Sequence, residues 1–384
     1  MLKPLLMIPG PVEVDSEVLA MMARAPLSHT SPAFIEIFGE CLDNLRDVFV
    51  APDGQPIVVA GSGTLAMELA VANLVEPGDR AVVIETGLFS RRMTDLLRRH
   101  GALVEVLANQ VGDIPQLEEI EAALIKKPKI LAVTHVDTST GVVAPIHQIA
   151  TLARKYQVLT IVDGVCAVAG QEFRQTDWDV DVCITGSQKA LAVPPGLALV
   201  MARPRALEAF RSRKVPVASY YSDWTFWLPV MQAYQARKPS YFATPPVSLV
   251  AALNESVRQV KLEGIEARWN RHCRLSKAFK AGVTALGLRQ VPVRDEIQAV
   301  TLTAMYYPEG VDSSLLGKIS AEGVTIAGGV HPSIAPLTFR VGHMGIDGIG
   351  EVLRTLAAIE IGLEIKSGIG VAAAQTCWMN WSRI

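Results

Sequence analysis

Three observations predict an α/β fold: a mostly parallel, seven-stranded-type sheet sandwiched by helices, followed by a smaller α+β unit. Short, near-continuous Val/Ile/Leu runs alternate with amphipathic stretches from Ile57 to Met201, as expected of parallel strands buried on both faces. Hydrophobic residues make up 50% of the 384-residue chain, enough for one large core and a second, smaller one. Beyond Pro245-Pro246 the alternation gives way to a long helical stretch and a few further strands.

The elements follow in order. Prolines at 4, 9 and 11 mark an extended arm, 1–15, whose apolar stretch is too short for a signal peptide. Ser31-Pro32 starts a helix. In the large domain, 16–260, Ile57–Ala60 is a strand, followed by a helix to about Val75 that Pro77-Gly78 ends. Arg80–Ile84, Leu103–Leu107, Ile130–His135, Val158–Asp163, Val180–Ile184 and Gly196–Met201 read as strands; Phe89–His100, Leu117–Ile125 and Ile146–Tyr156 read as helices. The aromatic segment Tyr220–Tyr241 is less regular. One long helix from about Val247 to Leu286 leads into the small domain, 261–384. There Val300–Ala304, Val324–Ala327 and Thr338–Gly342 are strands, a helix runs from about Ile346 to Ile365, and the tail after Gly368 is expected to be loosely held.

Bulk properties exclude several functions. A formal charge of −2 offers nothing for nucleic acid, and there is no run of 18 apolar residues for a membrane span. The five cysteines (Cys41, Cys166, Cys183, Cys273, Cys377) lack CxxC spacing, so reduced thiols in a cytoplasmic protein are expected. The seven histidines form no ligand motif, and no metal is expected.

Asp163 ends one apolar run, and Lys189 follows the next, in Gly186-Ser187-Gln188-Lys189. A short crossover would bring a carboxylate and an amine to neighbouring carboxyl ends of one sheet, where open α/β sheets bind ligands. A Schiff-base lysine with an Asp facing a pyridinium nitrogen is what pyridoxal 5'-phosphate (PLP) chemistry needs. Gly61-Ser62-Gly63-Thr64 lies between a strand and a helix, where glycines and helix N–H groups can receive a phosphate. Alone, such a turn is common, as is Thr138-Ser139-Thr140-Gly141; it is the pair Asp163 and Lys189 that gives them direction.

Together these segments resemble the class V, fold type I PLP-dependent aminotransferases, in the alanine–glyoxylate/serine–glyoxylate (serine–pyruvate) branch. The resemblance runs from Pro9-Gly10-Pro11 to Arg340-Val341-Gly342-His343-Met344-Gly345, and Gly186-Ser187-Gln188-Lys189 with Pro194-Pro195-Gly196 is its most specific part. It implies that Lys189 is the Schiff-base lysine and proton carrier, and that Asp163 keeps the ring nitrogen protonated. Val165 and Phe89 would cover the ring, although Phe89 stands where the family often has Trp. Thr138 would bond the phenolic oxygen and help bind substrate. Ser62, Gly63, Thr64 and Gln188 would hold the phosphate, Thr64 standing where animal members often have His. Tyr241 and Thr244 would reach the neighbouring subunit's phosphate, implying a homodimer with shared sites, and Arg340 would grip the substrate carboxylate.

The implied activity is transamination of alanine or serine, a small amino acid, with a 2-oxo acid, glyoxylate or pyruvate. No second arginine is placed convincingly for a dicarboxylate. A cysteine desulfurase would need a cysteine within Ser320–Val330, which has none. Ureidoglycine–glyoxylate aminotransferase and a non-catalytic PLP-binding subunit remain as alternatives.

Overall fold

The computed structural model describes residues 4–345 and 347–381. The first three residues of the predicted arm, the predicted helix start at Ile346 and the last residues of the tail lie outside that range. In chain order, the first half contains β1 (Leu5–Leu6), α1 (Ser16–Met22), α2 (Pro32–Phe49), β2 (Gln55–Ala60), α3 (Gly63–Leu74), β3 (Arg80–Glu85), α4 (Leu88–Arg99), β4 (Leu103–Ala108) and α5 (Leu117–Leu124). Next come β5 (Ile130–Thr134), β6 (Val136–Asp137), β7 (Val142–Val143), α6 (Ile146–Lys155), β8 (Leu159–Asp163), β9 (Val182–Gly186), β10 (Leu197–Ala202), α7 (Pro204–Arg211) and α8 (Trp224–Gln235). The remainder is α9 (Val247–Glu263), α10 (Ile265–Ala285), β11 (Leu302–Tyr306), α11 (Ser314–Ala321), β12 (Val324–Thr325), β13 (Ala327–Gly328), β14 (Thr338–Gly342), α12 (Ile349–Gly362) and α13 (Ile369–Met379).

The expected α/β sheet is present. Seven strands run in the order β2-β10-β9-β8-β5-β3-β4, and only β10 is antiparallel to its neighbours. Every residue of β5, β8, β9 and β10 is buried, which explains why these strands read as unbroken apolar runs. Parallel pairing of β8 with β9 sets Asp163 opposite Ile184. The carboxyl ends of β2, β3, β5, β8 and β9 therefore lie along one edge of the sheet, and the chain turns there into the segments singled out above.

The fold departs from expectation in four places. The arm is extended, but it is also a strand of the C-terminal part: Leu5 and Leu6 pair with Val324 and Thr325, and Gly342 N–H donates to the Met7 carbonyl at 2.8 Å. The single helix predicted from Val247 to Leu286 is two, broken at Gly264, whose φ of +84° is unfavourable for other residues. The run Val324–Ala327 is split, with β12 pairing with β1 and β13 with β14. The tail after Gly368 is not loose. It forms α13, whose Gly370 N–H donates to the Glu360 carboxylate at 2.6 Å and whose Trp378 ring lies 3.6 Å from the Arg274 guanidinium of α10.

Two large apolar clusters and a small third one form the interior. Val250, Leu253 and Val257 of α9 belong to the largest, and Leu275, Phe279 and Val283 of α10 to the second. Among the described residues, no helix is long and apolar enough to cross a membrane.

One buried polar knot holds the entry to β9. The Asp181 carboxylate, 3% exposed, accepts from the Thr160 N–H at 2.8 Å and from Arg205 Nε at 2.6 Å and Nη2. Removing the acid strands the buried Thr160 amide and takes the anion from Arg205, which is a quarter exposed and keeps its bond to the Val158 carbonyl. We expect Asp181→Ala to lose about 3–5 kcal/mol of stability, measured by urea unfolding; a loss below about 1 kcal/mol would mean that this knot does not hold the strands.

Candidate active site

Lys189 follows β9 in a tight return, in which the Ala192 N–H donates to the Lys189 carbonyl at 2.7 Å and the Val193 N–H to the Ser187 carbonyl at 3.0 Å. Its amine donates to the Pro9 carbonyl, and the Val12 N–H donates to the Gln188 carbonyl at 3.2 Å. The N-terminal arm is thus laced to the lysine turn. Gly10 makes this approach possible: its φ is +107°, and a Cβ there would fall 2.6 Å from Lys189 Cδ. Desolvation holds the amine below the usual lysine range. Nearby Arg340 pushes the same way, while Asp163 and Cys166 pull it back up.

Asp163, 3% exposed, ends β8. Its Oδ1 accepts from the Val165 N–H at 3.0 Å, whereas among the described residues Oδ2 has only a 3.5 Å contact with Thr134 Oγ1. Burial pushes its pKa up to about 6. Asp137 adds to that rise, and the Val165 bond, Arg92 and Lys189 oppose it. Amine and carboxylate feel each other's charge, yet among the described residues no ion pair joins them. A nearly unsatisfied carboxylate oxygen deep in the fold is suited to a cationic N–H donor; the ring nitrogen of PLP is one.

The remaining segments crowd around the pair. A Cβ on Gly63 would meet Val165 Cγ2 at 2.8 Å, so the Gly61–Thr64 turn rests on Val165. A Cβ on Gly186 would meet Gln188 Oε1 at 2.7 Å and Gly63 N at 3.1 Å, which puts the Gln188 amide beside the same turn. No side chain caps α3 at Ser62, so its first amides lack a side-chain acceptor. Arg340, 8% exposed, donates through Nε to the Gly328 carbonyl at 2.9 Å and through Nη1 to the Thr138 carbonyl at 3.2 Å. Nη2 makes no hydrogen bond among the described residues.

Tyr241 and Thr244 stand apart. Both are exposed; their hydroxyls are 3.4 Å from each other, and the Tyr241 ring lies 5.2 Å from that of His29. They share no hydrogen bond or ring contact with the cluster among the described residues.

Sequence reasoning missed Asp137. Fully buried, it accepts through Oδ2 from the N–H groups of Phe89 and Ser90, each at 3.0 Å, and through Oδ1 from Ser139 N–H at 3.0 Å and Oγ at 2.6 Å. One carboxylate thereby caps α4, which carries Phe89, and fixes the turn that carries Thr138. The signal was an Asp two residues ahead of a Ser, the pattern of a side chain bonding its own turn.

The sequence family described as class-V aminotransferases matches residues 16–354. The chain is 36% identical to alanine–glyoxylate aminotransferase 1 of Saccharomyces cerevisiae, over 89% of this chain and 92% of that one. It is 32% identical to the L-aspartate–glyoxylate aminotransferase of Paracoccus denitrificans, over 96% and 94%. The crystal structure of the ureidoglycine–glyoxylate aminotransferase of Bacillus subtilis superposes with a TM-score of 0.90 at 30% identity, covering 99% of both chains.

A pH effect follows for the coenzyme-free protein. Because the pKa of folded Asp163 lies above its unfolded value, the native state holds that proton more tightly. Its contribution to stability is present below about pH 4 and lost as pH rises through about 6. Asp163→Asn removes the charge, so the coenzyme-free variant is expected to gain up to about 3 kcal/mol over wild type at pH 7 and nothing near pH 4. Urea unfolding at both pH values measures this, and a variant less stable at pH 7 would contradict it.

Proposed function

The chain belongs to the class-V aminotransferases, whose cofactor is PLP, and we propose that it transfers the amino group of alanine or serine to glyoxylate or pyruvate in two half-reactions. The observation that carries the reading is the pair at the ends of β8 and β9: an amine held below its ordinary pKa and a buried carboxylate with one oxygen left for a donor.

When bound, the coenzyme supplies an electron-accepting ring for the pair left as the substrate Cα–H bond breaks. Each protein group then has a task. Asp163 holds a proton on the ring nitrogen N1, and the Thr138 hydroxyl bonds the phenolic oxygen. The depressed pKa leaves the Lys189 amine uncharged more readily, and a neutral amine can take the Cα proton and return it on the other side of the exchange. Arg340 presents Nη2 to the substrate carboxylate; its other bonds, to Gly328 and Thr138, fix the guanidinium and so choose which Cα bond is broken. Val165 and Phe89 cover the ring faces, and the α3 amides with Ser62, Gly63, Thr64 and Gln188 receive the phosphate. The exposed Tyr241–Thr244 loop is suited to reach a second copy's phosphate, which would make the active form a homodimer.

Spectroscopy tests this directly. L-alanine or L-serine should bleach the yellow absorbance of the loaded enzyme, and glyoxylate should restore it; an unchanged spectrum with every small amino acid would point to a non-catalytic PLP-binding subunit. A panel including aspartate and ureidoglycine then ranks the donors. Arg340→Gln should raise KM for both substrates by roughly one to two orders of magnitude, whereas a loss confined to kcat would remove the carboxylate role.

A further inference from the structure

We infer that Arg92 is the cation that receives the coenzyme's phosphate, acting together with Thr64; this rests on the PLP reading above and deepens it.

Arg92 lies one turn beyond Phe89 on α4, and its guanidinium sits 5.0 Å from the centre of the Phe89 ring. Nη1 donates to Thr64 Oγ1 at 2.7 Å. Because that oxygen is used as an acceptor, Thr64 keeps its own O–H proton for another acceptor. Thr64 is the second residue of α3, immediately after the turn whose amides lack a side-chain cap.

What Arg92 lacks is an anion. Its neighbour Arg91 is paired with Glu85 at 3.6 Å, but among the described residues Arg92 makes no ion pair. The carboxylate near enough to feel its charge is Asp163, which it does not touch. A half-buried guanidinium held over an aromatic face, bonded to a neutral hydroxyl and set beside uncapped helix amides, is a site prepared for an anion from outside the chain. A phosphate ester beside Gly63 and Gln188 would be that anion. Thr64 and Arg92 then divide the work, the hydroxyl donating one bond and the planar fork supplying charge. Stacking on Phe89 ties the ring-covering side chain to the same anchor.

The experiment compares two ligands that share ring and aldehyde, PLP and unphosphorylated pyridoxal. Each is titrated into coenzyme-free wild type, Arg92→Gln and Arg92→Lys, following the new absorbance and tryptophan quenching. A lost charge-assisted bond corresponds to about a ten- to hundredfold fall in affinity. Arg92→Gln should show that fall for PLP, leave pyridoxal binding unchanged, and abolish competition by inorganic phosphate. Arg92→Lys should recover part of the loss, and matching unfolding midpoints of the coenzyme-free proteins establish that the fold is intact. An equal loss for both ligands, or no loss for PLP, would overturn the inference by assigning Arg92 to the Phe89 scaffold alone. Failure of wild type to bind PLP would instead sink the coenzyme reading itself.

Discussion

A carboxylate and an amine share one dry edge of the sheet without touching, and the rest of the site is arranged around that separation. Among the described residues, Asp163 is buried with an oxygen nearly bare of donors, and Lys189 is desolvated with one backbone carbonyl accepting from its amine. Closing them into an ion pair would satisfy both; on the proposed reading, the coenzyme's ring takes that place. The register of β8 and β9 sets Asp163 opposite Ile184, Ser187 and Gln188 intervene before the lysine, and the amine donates to the Pro9 carbonyl instead. The burial that keeps Asp163 reluctant to ionise when alone is the condition under which a cationic ring nitrogen is bound strongly.

The supporting groups come from distant stretches of the chain, so the site depends on how these meet. Asp137 ties the Phe89 helix to the Thr138 turn. Arg340, on a strand of the C-terminal sheet, reaches across to the Thr138 carbonyl. The arm runs from β12 past Gly342 to Lys189. On the proposed reading, the group that grips the substrate carboxylate and the group that carries the proton come from different parts of the chain, so substrate geometry would depend on contacts such as that between Arg340 and Thr138. The fold of the solved relative superposes on this chain along nearly the whole length of both.

Much of this was legible in the sequence, for physical reasons. Strands covered on both faces must be apolar throughout, so Leu159–Val162 and Val182–Ile184 announced themselves, and with them the positions of Asp163 and Lys189. Pairings distant in sequence were not legible. Leu5 and Leu6 carry no sign that they will meet Val324 and Thr325, and the arm read only as extended. The break at Gly264 was not read, because an isolated glycine in a helical pattern does not by itself say that the helix ends there. Trp378 looked like part of a loose tail because its partner, Arg274, lies more than a hundred residues earlier. Arg92 was hidden by its neighbour: an Arg-Arg pair on an amphipathic helix reads as a solvated face, and only the fold separates the arginine paired with Glu85 from the one turned to Thr64.

The most direct measurement is chemical trapping of the lysine. Reducing the PLP-loaded protein with borohydride and mapping the labelled peptide should place the pyridoxyl group on Lys189 alone, with one label per chain. Label on another lysine, or none, would contradict the assignment of β8 and β9 as the walls of the coenzyme site.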